Sequence, residues 1–518
     1  MRNPHTAIWI SILPVLPLLA MPLMAAETVK VEQGQLSGTT GGSPEVRVYK
    51  GIPYAAPPVG DLRWAAPKPA GPWTGARDAS KFGNACPQPP YPKESLAYRE
   101  AEPMGEDCLY LNVWTAAKSA SEKRPVMVWI HGGGLTRGSG STSLSDGENF
   151  AKKGVVLVKI NYRLGILGFF AHPALSAESE HKVAGNYAVL DQIAALQWVH
   201  RNIAAFGGDP NRVTIFGESA GSWSINYLTS TPLAKGLFQR AIGESGASFA
   251  PMRTLAQAEQ AGSRMNASIQ ALRAESTDDL LKAAWGAAPI AGAIPEAPVV
   301  DGHVFPTDIY TIYLQGKQND TPLIAGSNGD EATRLFAWPA NGTAATFISQ
   351  ARRTYGDMAD EFLKAYQASN DKEAEASHYA SIRDQVFTWQ MRTWVRLQTQ
   401  TGKSKAYLYQ FTRIPPGPDS AKYRAYHGSE VAYVFGNLAP PRPWEPLDRM
   451  LSDQMISYWV NFATTGDPNG KGLPAWPAYN AREDQALRFG DRIDIVTGLN
   501  KEGLDFFDRY YEHLRASR

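Results

Sequence analysis

Ser219 stands between two glycines at the end of a short apolar run. Residues 213–221 read VTIFGESAG, so each glycine lies two positions from the serine. A strand that turns sharply into a helix forces its corner residue into a strained backbone conformation, which only small neighbours tolerate. The G-x-S-x-G pattern therefore predicts a nucleophile elbow, in which an exposed hydroxyl attacks a carbonyl and backbone N–H groups at the helix start face the oxyanion.

Two other glycine patterns bear on this prediction. Residues 243–247 read GESGA, a serine motif that ends in alanine, and Ser219 is the better candidate because a predicted strand precedes it. Residues 124–134 read RPVMVWIHGGG, a predicted strand followed by three glycines whose uncovered N–H groups could bind an anion. No Gly-Lys-Ser/Thr follows, which disfavours a phosphate-binding loop, and a purely structural turn is the other reading. Beside Ser219, the favoured interpretation is an oxyanion hole formed by this loop and the N–H of Ala220.

A serine nucleophile of this kind is followed in the chain by an acid and then by a histidine. The histidines after Ser219 are His303, His378, His427 and His513. The last of these and His378 lie in polar or terminal stretches and are expected at the surface. His427 lies beside a glycine in a predicted loop and is slightly favoured over His303.

The acid is expected just past a predicted strand at 323–325. Asp330 and Glu331 follow this strand, and on the residues alone either carboxylate could hold an imidazole. A pair of acids at a helix N-terminus, favoured by the helix dipole, is an equally good reading. The residue pattern therefore leaves both the acid and the histidine open.

The predicted elements alternate between strand and helix. Apolar runs at 126–130, 155–160 and 213–216 predict buried strands, and helical spacing from 189 to 203 predicts a helix between the last two. This order predicts an α/β fold with a large, mostly parallel sheet whose active site lies at the C-terminal strand ends. Residues 250–420 predict helical insertions, either walls of a pocket or scaffold.

The chain ends and composition predict an exported globular enzyme. Of 518 residues, 43% are hydrophobic and 19% charged, which predicts one large catalytic unit over 27–518. Residues 1–26 combine Arg2, an apolar run and Ala25-Ala26, which is typical of a signal peptide, and three prolines disfavour a membrane anchor. The signal peptide predicts a periplasmic or secreted protein. Its removal takes one charge from the net +1, and a chain of zero net charge gives no reason to expect nucleic-acid or membrane partners.

Only two cysteines occur, Cys86 and Cys108, and in an exported chain they are expected to form one disulfide. No HExxH or CxxC spacing is present, so we expect no metal and no other cofactor.

Ordered motifs along nearly the whole chain resemble the type-B carboxylesterase and cholinesterase-like family of α/β-hydrolases. They are GIPYAAPPVGDLRW (51–64), EDCLYLNVW (106–114), HGGG (131–134), NYRLGILGF (161–169), FGGDPNRVTIFGESAGS (206–222), PVVDG (298–302), YHGSEVAYVFG (426–436), WVNFATTGDPNG (459–470) and WPAY (476–479). The resemblance implies an α/β-hydrolase fold, helical insertions near the active site and hydrolysis of small-molecule carboxylic esters without a cofactor.

The resemblance also implies roles for particular residues. It implies a triad of Ser219, Glu331 (rather than Asp330) and His427. The further residues that it matches are the oxyanion donors Gly133, Gly134 and Ala220, the disulfide Cys86–Cys108, and a serine near the acid, Ser245.

Three positions depart from the family pattern. Ala332 replaces a glycine after the acid, Leu135 an aromatic after the glycines, and Trp223 a small residue inside the elbow helix. We expect Leu135 and Trp223 to bind substrate. An esterase for a bulky natural or xenobiotic ester, a lipase or amidase, and a non-catalytic cholinesterase-like binding protein are the alternatives. The residues do not predict the oligomeric state.

Overall fold

The computed structural model describes residues 28–93, 96, 102–285 and 297–517. The predicted signal peptide at 1–26 lies outside these residues. Within them, fourteen strands form one sheet of eleven strands and one of three. The strands are β1 (Thr28–Val31), β2 (Gly34–Ser37), β3 (Thr39–Thr40), β4 (Arg47–Pro53), β5 (Ala76–Asp78), β6 (Tyr110–Thr115), β7 (Arg124–Ile130), β8 (Val156–Ile160), β9 (Gly208–Glu218), β10 (Arg240–Glu244), β11 (Leu323–Asn328), β12 (Ala406–Phe411), β13 (Gln485–Phe489) and β14 (Ile493–Thr497).

The large sheet has the order β14-β13-β12-β11-β10-β9-β7-β8-β6-β4-β3. The seven neighbouring strands from β13 to β8 in this order all pair in parallel. The antiparallel pairs lie towards the two edges of the sheet. The predicted mostly parallel sheet is confirmed. Strand β9 begins earlier than predicted, because Gly208 already pairs with Arg124 of β7. A register irregularity separates this first pair from the regular pairing, which starts at Val126.

Helices cover both faces of this sheet. They are α1 (Glu148–Lys152), α2 (Gly165–Phe169), α3 (Pro173–Glu178), α4 (Tyr187–Asn202), α5 (Ala220–Ser230), α6 (Leu255–Gly262), α7 (Ile269–Ala274), α8 (Thr277–Trp285), α9 (Ile309–Leu314), α10 (Ala332–Leu335), α11 (Ala344–Tyr355), α12 (Ala359–Ala365), α13 (Asp371–Ile382), α14 (Trp389–Thr401), α15 (Ser420–Tyr423), α16 (Val431–Phe435), α17 (Pro446–Thr465) and α18 (Lys501–Ala516). The helical insertions predicted for residues 250–420 correspond to helices α6 to α15. Strands β11 and β12 of the large sheet interrupt them.

Strand β7 shows why the sheet needs two layers of helices. Its side chains alternate with a period of two: Val126, Val128 and Ile130 pack into one apolar core, and Met127 and Trp129 into the other. The first core includes side chains of α4, α5 and α14, and the second includes side chains of α16 and α17. A strand that is apolar on both faces is stable only when both faces are covered.

The predicted disulfide between Cys86 and Cys108 is confirmed. Both residues are buried, and the bond closes a loop between positions 22 residues apart. A loop of this length stabilises the fold by about 3 kcal/mol in the chain-entropy account. None of the helices in the described part of the chain combines the length and apolarity needed to cross a bilayer.

Candidate active site

Ser219 occupies a strained corner between β9 and α5. Its backbone has φ 58° and ψ −124°, a conformation that non-glycine residues seldom adopt. The flanking glycines are required by close packing against β7. A Cβ on Gly217 would lie 2.5 Å from the carbonyl oxygen of Ile130, and one on Gly221 would lie closer still. The predicted elbow is therefore present, at the C-terminal end of a central strand.

The glycine loop after β7 lies against this corner. A Cβ on Gly132 would be 3.0 Å from the Cβ of Ser219 and 2.6 Å from the carbonyl oxygen of Glu218. Gly133 and Gly134 have φ values of 108° and 66°, which a residue with a side chain would adopt only with strain. This conformation turns the loop over the start of α5.

Three amides of this loop and of the start of α5 have no protein acceptor within the described ranges. In the described part of the chain, the N–H groups of Gly133, Gly134 and Ala220 donate to no protein acceptor. Ala220 is the first residue of α5, where backbone N–H groups carry partial positive charge. Three such donors can bind the negative oxygen of a tetrahedral intermediate.

His427 is held by Glu331 at the same edge of the sheet. The Nδ1 atom of His427 is 2.6 Å from Oε2 of Glu331, and both residues are buried. The second oxygen, Oε1, accepts a hydrogen bond of 2.7 Å from the backbone N–H of Asn328 at the end of β11. The ring of Phe387 packs 4.8 Å from the imidazole. The acid is therefore fixed from two sides, and Nδ1 of the imidazole faces it.

The other ring nitrogen of His427 faces Glu218, the residue before the elbow serine. Nε2 lies 3.2 Å from Oε1 of Glu218, at ion-pair distance but without the angle of a hydrogen bond. No hydrogen bond joins the hydroxyl of Ser219 to the imidazole among the described residues.

Three buried or nearly buried glutamates act on this histidine, namely Glu218, Glu331 and Glu430, and Glu244 is buried near two of them. Burial alone lowers the pKa of His427, but the negative charges of Glu218 and Glu331 and the hydrogen bond to Glu331 raise it to about 9. Burial, with the neighbouring carboxylates, raises the pKa of Glu430 to about 8 and that of Glu244 well above its usual value. Such a cluster cannot be fully ionised without a large cost, so some of its members retain protons at neutral pH.

Comparison with known proteins identifies the family of this chain. The model of the carboxylesterase family matches residues 25–507. The chain belongs to the carboxylesterase family. It is 36% identical to the fumonisin B1 esterase of Sphingopyxis macrogoltabida, over 90% of this chain and 87% of that protein. It is also 36% identical to the para-nitrobenzyl esterase of Bacillus subtilis, over 92% and 98% of the two chains, and 34% identical to the liver carboxylesterase of Sus scrofa, over 95% and 96%.

This carboxylesterase is therefore a carboxylic ester hydrolase with the α/β-hydrolase fold, as the motifs imply. Membership of an enzyme family disfavours the alternative of a non-catalytic binding protein.

The carboxylesterase fold separates the remaining candidate histidines from Glu331. His303 stacks on His181 with ring centres 3.8 Å apart, in a loop capped by Asp301. The prediction that His378 is solvated is wrong: its ring packs on Trp338 and its Nε2 is enclosed, because α13 lies against the loop after α10.

Three further positions carry predictions: Ser245, which matches the family pattern, and Leu135 and Trp223, which depart from it. Trp223 is half-buried, and its backbone N–H donates to the carbonyl oxygen of Ser219 at 3.0 Å. Leu135 is 1% exposed and packs in the core, so its part in binding substrate stays a prediction. The hydroxyl of Ser245 is buried without a hydrogen-bond partner, so no hydrogen bond from it holds Glu331.

The contact of Glu218 with the imidazole was missed by sequence reasoning. The residue adjoins the serine in the chain, but only the tertiary structure brings His427 and its loop to this side chain.

In this carboxylesterase, Glu218→Gln is expected to shift the acid limb of the kcat/KM profile to lower pH by about one unit. A general base must be neutral to accept a proton, and the negative charge of Glu218 helps raise the pKa of His427, the candidate base, to about 9. Removing that charge lets the imidazole lose its proton at lower pH. The measurement is the pH dependence of kcat/KM for a short-chain 4-nitrophenyl ester.

Glu244→Gln provides the matched control for this shift. Glu244 is fully buried, accepts a hydrogen bond of 2.8 Å from Nε1 of Trp459, and has a strongly raised pKa. The carboxylates that raise the pKa of His427 are Glu218, Glu331 and Glu430, so an amide at position 244 should leave the acid limb in place. Equal profiles for the parent and Glu218→Gln would contradict the assignment of this charge to the histidine.

Proposed function

We propose that Ser219, His427 and Glu331 form the catalytic triad of this esterase. The observation that carries the proposal is the 2.6 Å hydrogen bond between His427 and the buried Glu331, at the sheet edge where the Ser219 elbow ends. Glu331 holds the imidazole in the tautomer with the proton on Nδ1 and stabilises the imidazolium that forms. Nε2 is then the atom that accepts the serine proton.

The reaction proceeds in two halves. The Oγ atom of Ser219 attacks the ester carbonyl while its proton passes to Nε2 of His427, and the N–H groups of Gly133, Gly134 and Ala220 bind the oxyanion. The imidazolium donates this proton to the leaving alkoxide, and an acyl-enzyme remains. Water then attacks the acyl carbonyl with the imidazole as base, which releases the acid and restores the hydroxyl.

The contact between His427 and Glu218 defines the resting state. While Nε2 faces Oε1 of Glu218 at 3.2 Å, the imidazole is not hydrogen-bonded to the serine hydroxyl. Catalytic hydrogen bonds are often long or misaligned without substrate and tighten in the Michaelis complex. The serine is adjacent to Glu218 in the chain, so a small turn of the ring transfers its contact from one side chain to the other.

The triad is tested by covalent labelling with diethyl 4-nitrophenyl phosphate. The parent should release one equivalent of 4-nitrophenol and gain a diethylphosphoryl group on the peptide that contains Ser219. A matched variant, Ser222→Ala, removes the next serine along α5 and should still be labelled, because that hydroxyl donates to the carbonyl oxygen of Gly246 and is buried. Labelling elsewhere, or none, would refute the assignment of the nucleophile.

The substrate is proposed more broadly, as a carboxylic ester. The second candidate is a bulky natural or xenobiotic ester, and an enzyme named fumonisin B1 esterase is 36% identical to this chain. Trp223 and Leu135 are proposed to shape the pocket for it. A panel of esters that varies acyl length and alcohol size, with Trp223→Ala beside the parent, separates small from bulky substrates.

The cellular location is proposed from the N-terminal residues and the disulfide. Residues 1–26 would direct export to the periplasm or medium and be removed, which leaves 27–518 as one catalytic domain. The Cys86–Cys108 disulfide supports this proposal, because such bonds persist in oxidising compartments.

A further inference from the structure

Arg334 is a half-buried cation directly beside the proposed triad. It lies on α10, and its Nη1 donates a hydrogen bond of 2.8 Å to the carbonyl oxygen of His427. Its guanidinium carbon lies 5.6 Å from the centre of the Tyr426 ring. A Cβ on Gly428 would be 3.5 Å from this Nη1 and 3.1 Å from Oε1 of Glu218. The guanidinium and the carboxyl group that faces the imidazole are therefore neighbours.

The charge of Arg334 is only partly compensated. Nearby arginines have acidic partners, since Arg424 pairs with Asp330 at 3.0 Å and Arg383 pairs with its neighbour Asp384 at 2.8 Å. No carboxylate within the described ranges forms an ion pair with Arg334. Burial raises the pKa of Glu218 and the positive charge of Arg334 acts to lower it, but no hydrogen bond or ion pair joins these two side chains in the described residues. A partly desolvated cation in this position is stabilised by an anionic ligand.

The residues after Arg334 add an apolar surface beside this charge. Leu335 and Phe336 are 47% and 37% exposed, although both are large hydrophobic residues. A ligand that covers this surface and reaches the guanidinium would have an apolar chain that carries a negative group. The guanidinium retains several N–H donors beyond the one bound to His427, and its planar fork matches a carboxylate.

We propose that Arg334 is a specificity-determining residue that binds a carboxylate of the substrate, so that the preferred substrates are half-esters of dicarboxylic or polycarboxylic acids. This inference rests on the proposed triad. The alternative is a positioning residue only, in which the bond to the carbonyl oxygen of His427 steadies the histidine loop. A positioning role affects all esters alike, whereas recognition of a carboxylate changes the ratio between charged and neutral esters.

The test compares monoethyl succinate, glutarate and adipate with the matching carboxamide esters, in which the carboxylate is replaced by a neutral amide. For the best chain length, the parent should have a kcat/KM about 10- to 100-fold higher for the carboxylate ester, the range expected of a charge-assisted hydrogen bond. Arg334→Gln should abolish this preference and Arg334→Lys should keep part of it. Added salt should lower the preference in the parent, because it screens the ion pair.

Arg442→Gln is the matched control, because Arg442 also lies over the Tyr426 ring, at 6.0 Å, but binds the carbonyl oxygen of Pro416. It should keep the preference. Equal kcat/KM values for charged and neutral esters in the parent, or a preference that survives Arg334→Gln, would overturn the inference. Turnover of 4-nitrophenyl acetate tests the triad separately: its absence would refute the proposed function, and its presence with no preference would refute only the role of Arg334.

Discussion

Ser219→Ala is expected to lower kcat for ester hydrolysis by about 10⁶-fold, the scale on which serine hydrolases lose activity without their nucleophile. The oxyanion donors and the binding surface remain, so a small rate above that of water should persist. The measurement is steady-state and burst kinetics with a short-chain 4-nitrophenyl ester. A burst of 4-nitrophenol in this variant would show that another group is acylated.

The same substitution should leave the fold intact. An alanine at this position would keep the Cβ and the backbone of the elbow, and the hydroxyl that is lost has no hydrogen-bond partner among the described residues. Ser245→Ala is the matched control, because Ser245 has a similar φ of 59° and follows a glutamate in the second Gly-Glu-Ser motif. Its hydroxyl is buried without a partner, so this variant should retain most of its activity. A large loss in it would instead implicate Ser245 in holding the acid.

Glu331→Gln is expected to lower kcat/KM by about 10⁴-fold through the wrong histidine tautomer. The backbone N–H of Asn328 donates to Oε1 of Glu331, so a glutamine would place its oxygen there and turn its amide group towards His427. Nδ1 would then have to accept a hydrogen bond, and the ring proton would move to Nε2. An imidazole in that form cannot take the proton of Ser219.

Asp330→Asn is the matched control for the acid. Asp330 is partly exposed and accepts hydrogen bonds from Nε of Arg424 and from the backbone N–H of Ala425, on the outer side of the turn. An exposed ion pair of this kind contributes little, so kcat/KM should stay close to that of the parent. If Asp330→Asn lost more activity than Glu331→Gln, the acid of the triad would have been assigned to the wrong residue.

The local parts of the site could be predicted from the sequence because their constraints lie in consecutive residues. Ser219 needs glycines two positions away on each side, and the loop at 132–134 needs positive φ values, so both motifs appear as short strings. Alternating strands and helices likewise indicated the mostly parallel sheet. The start of β9 was placed too late, because its first bridge to β7 is a tertiary pairing over residues that resemble a turn.

The long-range parts of the site could not be chosen from the residues themselves. Asp330 and Glu331 are chemically equivalent candidates, and His303 and His427 differ little in their local sequence. Strand β11 pairs with β12, and the segment after β12 carries His427. Only this pairing brings Glu331 to the histidine, across 96 positions of the chain. The family resemblance had assigned the same pair, but by analogy and not by contact.

By itself the sequence determined the elbow, the glycine loop, the family and the fold class, because each depends on local backbone freedom or on ordered motifs. The tertiary structure alone decided that Glu331 faces His427, that Glu218 competes for its second nitrogen, and that Arg334 stands beside them without an acidic partner in the described residues. The physical reason is that charge and hydrogen-bond partners are set by distance in space. Strand order, and not position along the chain, brings these side chains together.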